Sequence, residues 1–362
     1  MFTHRLVVVA LASLFAIPGP SAIAQSENAQ LEDRLNVWLR KHPDADANKD
    51  GKLTLEEARK YRDEVLNKRQ PRVQRNRVMP THADVKYGSH NRNVFDLWLP
   101  NSQKADAGPL PVYVYFHGGG FVGGDKAGFD PSTFLDAGMV VASANYRFVN
   151  GTDTLSPVPL LDAARVIQYL RHRAEDWNLD GDLIAVSGSS AGAVISMWIG
   201  YHDDLANSKS DDPIARQSSR VKCIIPLNGP SNLDPLWITK NMGGPKHIHG
   251  SFPKMFGATV AESDQPELRA RILESSPIEH VSKDDPSSLL IYTGALKGIP
   301  LPESASTGVL IHHAYFGKTL HERLDKVGVS NHFLPSTDPR KDRNAVILSW
   351  LKDHLLSHDN SR

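Results

Sequence analysis

Ser190 stands in Gly188-Ser189-Ser190-Ala191-Gly192, directly after the apolar run Leu183–Ser187 and ahead of a helical pattern over Ala191–Tyr201. Gly-x-Ser-x-Gly between a strand and a helix is what a nucleophile elbow requires. The glycines permit a turn so tight that the serine hydroxyl projects into a cleft at the helix N-terminus. A serine held there can attack an acyl carbon once a base takes its proton. A second motif, His117-Gly118-Gly119-Gly120-Phe121, directly follows the run Val112–Phe116. Consecutive glycines let main-chain N–H groups face the oxygen of a carbonyl under attack. Gly118, Gly119 and Ala191 are therefore the candidate oxyanion-hole donors.

A third constellation belongs to different chemistry. Asp46-Ala-Asn48-Lys-Asp50-Gly51-Lys52-Leu53-Thr54-Leu55-Glu56-Glu57 matches the EF-hand loop at its defining positions. Asp46, Asn48 and Asp50 offer side-chain oxygens, Lys52 its backbone carbonyl, Thr54 a water-mediated contact and Glu57 a bidentate carboxylate. Crowded carboxylates of this kind are tolerable only around a cation, and Ca2+ takes six to eight oxygens. A helix is expected on either side, over Leu31–Lys41 and from Leu55 through Leu66. EF-hands usually pair and only one loop is visible, which points to a structural rather than a sensing use of calcium.

The elements that must position Ser190 alternate in type. Val94–Leu99 alternates like a half-buried strand. Val112–Phe116, Met139–Ala144, Leu183–Ser187, Lys222–Leu227 and Ser288–Tyr292 are continuous apolar runs suited to strands covered on both faces. Helical patterns lie over Leu160–Ala174, Ala191–Tyr201, Gly317–Val327 and Asn344–Leu356. This order predicts an α/β fold with a mostly parallel central sheet and helices on both faces. Leu233–His280 is an irregular excursion between two strands, placed to overhang the carboxyl edge where such sheets bind ligands.

On these residues the stretch from about Val85 to Leu356 resembles the hormone-sensitive-lipase-like group of α/β-hydrolases, the bacterial carboxylesterases. The likeness extends to Gly123-Gly124-Asp125-Lys126, Asn145-Tyr146-Arg147 and Pro159-x-x-Asp162-Ala163. More narrowly, Asp211-Asp212-Pro213, Arg216-Gln217-Ser218, Gly308-x-x-Ile311-His312-His313 and Phe316-Gly317-Lys318 resemble a subgroup of exported esterase-like proteins. The resemblance implies an α/β-hydrolase fold, Ser190 as nucleophile, Gly118, Gly119 and Ala191 as oxyanion donors, and His117 as a brace for its loop.

The pattern also breaks. Such relatives carry an aspartate in a Gly-x-x-Asp arrangement where this chain has Gly294-Ala295-Leu296-Lys297. They carry a late histidine before the last helix where this chain has Leu334-Pro335-Ser336-Thr337-Asp338-Pro339. Three arrangements stay open. His312 or His313 is the base, with Asp234 or Glu303 as the acid, since a triad is defined by geometry and not by chain order. Alternatively Ser190 is orphaned, and the chain is an inactive relative serving as a calcium-dependent binding or scaffold protein. In the third, His312-His313 only packs, and the base is His247, His249 or His332.

Composition narrows the partners. Lys+Arg and Asp+Glu both number 41, and this zero balance gives no support for a nucleic acid or a membrane surface as partner. The expected partners are a small-molecule or carbohydrate-linked ester and calcium. The single cysteine, Cys223, cannot form an internal disulfide and reads as a buried strand residue. His4 and Arg5, an apolar run from Leu6 to Ile17 and Ala22-Ile23-Ala24 have the layout of a secretory signal peptide cut before Gln25. That run is too short to span a bilayer, and no other stretch is long and apolar enough. The expected organisation is a signal peptide over 1–24, an EF-hand module over 25–66, a basic linker over 67–80 and the hydrolase domain over 81–362, with a secreted or periplasmic location.

Overall fold

The computed structural model describes residues 35–61, 65, 78–100, 108–294, 296–335 and 342–356. The segments expected to be a signal peptide (1–24) and most of a basic linker (67–80) lie outside these residues. The chain divides after Arg77 into two units.

In the first unit, residues 35–41 are helical, and the loop after them leads into a helix at Leu55–Tyr61. Leu31 to Arg34 and Leu66, assigned to the flanking helices by their spacing, fall outside the described residues. Thr54 and Glu57 make reciprocal bonds at the start of the second helix: Glu57 accepts from the Thr54 amide at 3.0 Å, and the Thr54 hydroxyl accepts from the Glu57 amide at 3.2 Å. This is a capping box, which satisfies donors that the first helical turn leaves unpaired.

The second unit is built on eight strands: β1 (His82–Lys86), β2 (Val94–Trp98), β3 (Leu110–Phe116), β4 (Val140–Ala144), β5 (Leu179–Ser189), β6 (Cys223–Leu227), β7 (Ser287–Tyr292) and β8 (Asn331–Pro335). They order as β1-β2-β4-β3-β5-β6-β7-β8. β1 and β2 join antiparallel, and every pairing from β4 to β8 is parallel. All five residues of β4 and of β6 are buried, as strands covered on both faces must be. Cys223 is among them, and burial pushes its thiol pKa up. The helix Ala191–Tyr201 is buried along its whole length, which explains why its sequence is apolar all round.

Two edge strands, β1 and β8, escape a reading based on apolar runs. Each is short and mostly exposed or half-buried, so neither shows the signal of a covered strand. The excursion over Leu233–His280 is more regular than its sequence suggests. It holds helices at Pro235–Met242, Phe252–Phe256 and Pro266–Glu274 and a 3-10 turn at Pro277–His280.

Several of the motifs that carry the resemblance turn out to be framework. Arg147 grips Asp162 with two guanidinium bonds of 2.8 and 2.6 Å, and the Arg147 amide donates to the same carboxylate at 3.0 Å. Lys126 meets the buried Asp96 at 2.6 Å, and Asn145 joins the Lys126 amide to Asp125. Breaking a buried pair costs more than forming it gains, because one charge is left behind. Asp162→Ala should therefore lower the unfolding free energy by about 3 kcal/mol, read as a shift in the urea midpoint. A change within the error of the urea titration would mean that Arg147 is rehydrated without loss.

Candidate active site

Ser190 sits between the end of β5 and the helix Ala191–Tyr201 with φ 55° and ψ −114°, a backbone shape that non-glycine residues avoid. Two close approaches hold it there. The Ser190 amide donates to the Leu227 carbonyl at 2.9 Å. Gly192 lies so near the end of β3 that an added Cβ would stand 2.0 Å from the Phe116 oxygen. The bend exists because three strand ends converge on it.

The glycine loop after β3 passes directly alongside. A Cβ on Gly118 would lie 3.4 Å from the Ser190 Cβ. His117 fixes the loop's orientation. Arg92 Nη2 is 3.2 Å from His117 Nε2, and since arginine can only donate, that nitrogen accepts and the ring proton is on Nδ1. Nδ1 then donates to the Gly118 carbonyl at 2.7 Å. Across the trans peptide, the Gly119 N–H is turned away from the ring. The amides of Gly118, Gly119 and Ala191 donate to no other loop or cap acceptor among the described residues. Arg92, which sequence reading passed over, also donates to the Tyr146 and Gly124 carbonyls and stacks 3.7 Å over Phe148. Lacking any motif around it, it had no signal to be found by.

His312 is the candidate base that reaches Ser190. Its Nε2 lies 2.9 Å from Ser190 Oγ. His312 caps the C-terminus of a five-residue helix, Thr307–Ile311, in the connection from β7 to β8. Burial lowers its pKa below the ordinary 6.5, and the Gly308 carbonyl opposes this by favouring the charged ring.

On one side of this pair is a narrow apolar cavity of about 60 Å³, lined by Phe121, Val194, Ile238, Ile248, Phe252 and Met255 among others. On the other, His312 borders an open depression of about 330 Å³ with Thr293, Lys297 and His313.

Residues 95–307, more than half of the chain, match the model of the BD-FAE family. The chain belongs to the BD-FAE family. This is an α/β-hydrolase esterase family, and the eight-stranded sheet is the α/β-hydrolase fold. Among curated proteins, the chain is 26% identical over 231 residues to "Probable isoprenylcysteine alpha-carbonyl methylesterase ICMEL1" of Arabidopsis thaliana, covering 61% of this chain and 45% of that protein. The chain spans about half the length of the curated relatives it matches. Among solved structures, a truncated carbohydrate esterase from gut microbiota superposes with a TM-score of 0.60 at 19% identity, covering 76% of this chain and 96% of that one. An acetyl ester-xyloside bifunctional hydrolase from Caldicellulosiruptor lactoaceticus gives 0.57 at 21% identity, covering 76% and 97%.

The other acid and base candidates in this BD-FAE chain are placed elsewhere. His313, adjacent to the base in sequence, is turned away from Ser190. It accepts from the Tyr315 amide at 3.1 Å and faces the Lys297 carbonyl at 3.4 Å. Asp234 does not reach His312: its buried carboxylate caps the helix Pro235–Met242 through the Leu236 amide and pairs with Arg269 at 3.2 Å. Glu303 is paired with Lys246 at 3.5 Å on the exposed surface. His332 lies within β8, beside Leu289. His249 does line the apolar cavity, but its Nδ1 is bound to Ser251 at 2.5 Å. Helix capping needs carboxylates as much as catalysis does, and spacing does not separate the two demands.

The acidic loop in the first unit folds over its own carboxylates and amides. Gly51, with φ 80°, donates its amide to Asp46 Oδ2 at 2.8 Å, and Asn48 and Asp50 accept from the amides of Asp50 and Lys52 at 2.9 and 2.8 Å. Asp46 Oδ1 is buried without any protein donor, an uncompensated position for a carboxylate oxygen unless a cation faces it. Glu57 is engaged with Thr54, whose hydrogen bonds hold its pKa below the usual value.

His312→Ala should cut ester hydrolysis about a thousandfold, while His313→Ala stays within about tenfold of wild type, because only the first ring reaches Ser190. The base must be neutral to act. The lowered His312 pKa therefore places the acid limb of the kcat/KM profile below pH 6.5, with a plateau above it. Equal loss in both variants would reject the assignment.

Proposed function

We propose that the protein is an exported serine carboxylesterase that cleaves short acyl esters from polar, carbohydrate-linked alcohols through an acyl-enzyme on Ser190. The observation that carries this reading is the 2.9 Å contact between Ser190 Oγ and His312 Nε2. Ser190 passes its proton to the neutral ring as the hydroxyl oxygen attacks the acyl carbon. The negative oxygen that forms is received by the amides of Gly118, Gly119 and Ala191. His312 then protonates the departing alcohol, and a water attacks the acyl-enzyme by the same route in reverse.

The substrate class is argued from the two hollows beside the Ser190–His312 pair, one lined by Ser190 and the other by His312. The narrow apolar cavity has room for an acyl chain of roughly two to four carbons. The open side, with Thr293, Lys297 and His313, suits a bulky, hydroxyl-rich leaving group. Two structural neighbours, a carbohydrate esterase and an acetyl ester-xyloside bifunctional hydrolase, are enzymes of that class. Export follows from the N-terminal basic and apolar segment ending in Ala22-Ile23-Ala24. Calcium would be held in the first unit by Asp46, Asn48, Asp50, the Lys52 carbonyl and Glu57, where it neutralises crowded oxygens and has no part in the ester chemistry.

A fluorophosphonate probe should label the folded protein, and labelling should vanish in Ser190→Ala. Hydrolysis of p-nitrophenyl acetate and butyrate should exceed that of the octanoate ester at least about tenfold. Absence of labelling in folded, calcium-loaded wild type would instead favour a silent hydrolase domain used for binding. Separately, Ca2+ should raise the melting temperature of the wild-type chain's first unit, and Asp46→Ala combined with Glu57→Ala should abolish that shift. Identical melting with Ca2+ and with a chelator would remove calcium from the account.

A further inference from the structure

At the end of the helix Ala191–Tyr201 opposite Ser190, three potential metal ligands meet. They are His202 at its C-cap, Glu274 at the end of the helix Pro266–Glu274, and His280 at the end of the turn Pro277–His280. One donor atom from each lies within 4.8 Å of the others. The imidazoles are 4.8 Å apart between centroids, and Trp198 packs against the first at 4.2 Å.

The hydrogen bonds around this cluster decide which atoms are available. His202 Nδ1 lies 2.9 Å from the Asp203 carbonyl, so it donates there. His280 Nε2 lies 2.8 Å from the Glu274 carbonyl, so it donates there, and that oxygen also accepts from Trp198 Nε1 at 2.8 Å. Each ring therefore has one nitrogen pinned by a main-chain carbonyl, the arrangement that fixes the tautomer of metal-binding histidines. His202 Nε2 then stands 3.1 Å from Glu274 Oε1 with no proton of its own in the neutral ring. Two lone pairs facing each other at that distance repel unless a proton or a metal ion lies between them.

We propose that His202, Glu274 and His280 form a structural site for a divalent transition ion of the zinc class. Two imidazoles and one carboxylate suit zinc and its neighbours, whereas calcium and magnesium prefer all-oxygen sets. The half-exposed carboxylate leaves room for water to complete a tetrahedron. The ion clamps the helix that begins at Ser190 to the excursion that walls the acyl cavity. It sits roughly 18 Å along the helix from Ser190, so it is a fastening and not a reagent. This proposal does not depend on the protein being an esterase.

The test uses the full-length, tag-free protein with Ca2+ present, to keep the acidic loop filled. Zn2+ affinity is read by competition with a chromophoric chelator, and the ligand field by the visible absorption of the Co2+ form. One equivalent should bind with a tetrahedral spectrum. His202→Gln combined with His280→Gln should weaken it at least about 100-fold. Glu274→Gln should do the same while keeping the carbonyl that Trp198 and His280 need, so the fold survives, as near-UV circular dichroism can verify. Failure of the wild type to bind Zn2+ would overturn the proposal and leave a protonated His202–Glu274 ion pair. Affinity unchanged in Glu274→Gln would also overturn it, by placing the ion on other histidines.

Discussion

The site depends on the crowding of three backbones at one point: the ends of β3 and β5 and the first turn of the helix Ala191–Tyr201. Gly192 has no room for even one methyl group beside the Phe116 carbonyl, and the adjacent Ser190 is held at a positive φ by this packing and by its bond to Leu227. Such a bend is costly in isolation and persists because the surrounding sheet over-determines it. The same crowding brings the loop Gly118–Gly119 next to Ser190 and aims the helix N-terminus at the position where negative charge would form. The parallel, buried β4 and β6 are needed less for themselves than to keep these ends in register.

His117, Arg92 and Tyr146 form the other half of that constraint. A glycine loop has few preferred shapes of its own, so its amides must be oriented from outside. The Arg92 guanidinium sets the tautomer of His117, and His117 in turn holds the Gly118 carbonyl. Tyr146 adds a bond from its hydroxyl to the His117 carbonyl at 2.8 Å. Donors locked before substrate arrives need no reorganisation as charge develops.

Much of this was legible in the chain. The elbow and the glycine loop are local motifs whose backbone demands appear in the residues themselves, and the helix after Ser190 runs over Ala191–Tyr201 as its pattern implied. The central strands were visible because burial on both faces leaves an unbroken apolar run. β1 and β8 were not, because an edge strand half in solvent carries no such run. His312 could be shortlisted from its place near the sheet edge but not separated from His313, since neighbouring residues point in different directions only once the helix ending at Ile311 exists. Asp234 followed a strand at the correct edge and still turned inward to cap a helix. The residues 95–307 that match the family end just before His312, so the candidate base lies outside the segment that identifies the family.

That placement bears on how the molecule would lose activity on heating. Ser190 is rooted in the innermost strands, but His312 is carried by a single five-residue helix whose Val309 is exposed. Short segments with few buried contacts open at a smaller free energy than the core around them. The ester turnover proposed for this pair would then fade at temperatures where the sheet is still intact, and would return on cooling without any refolding of the core.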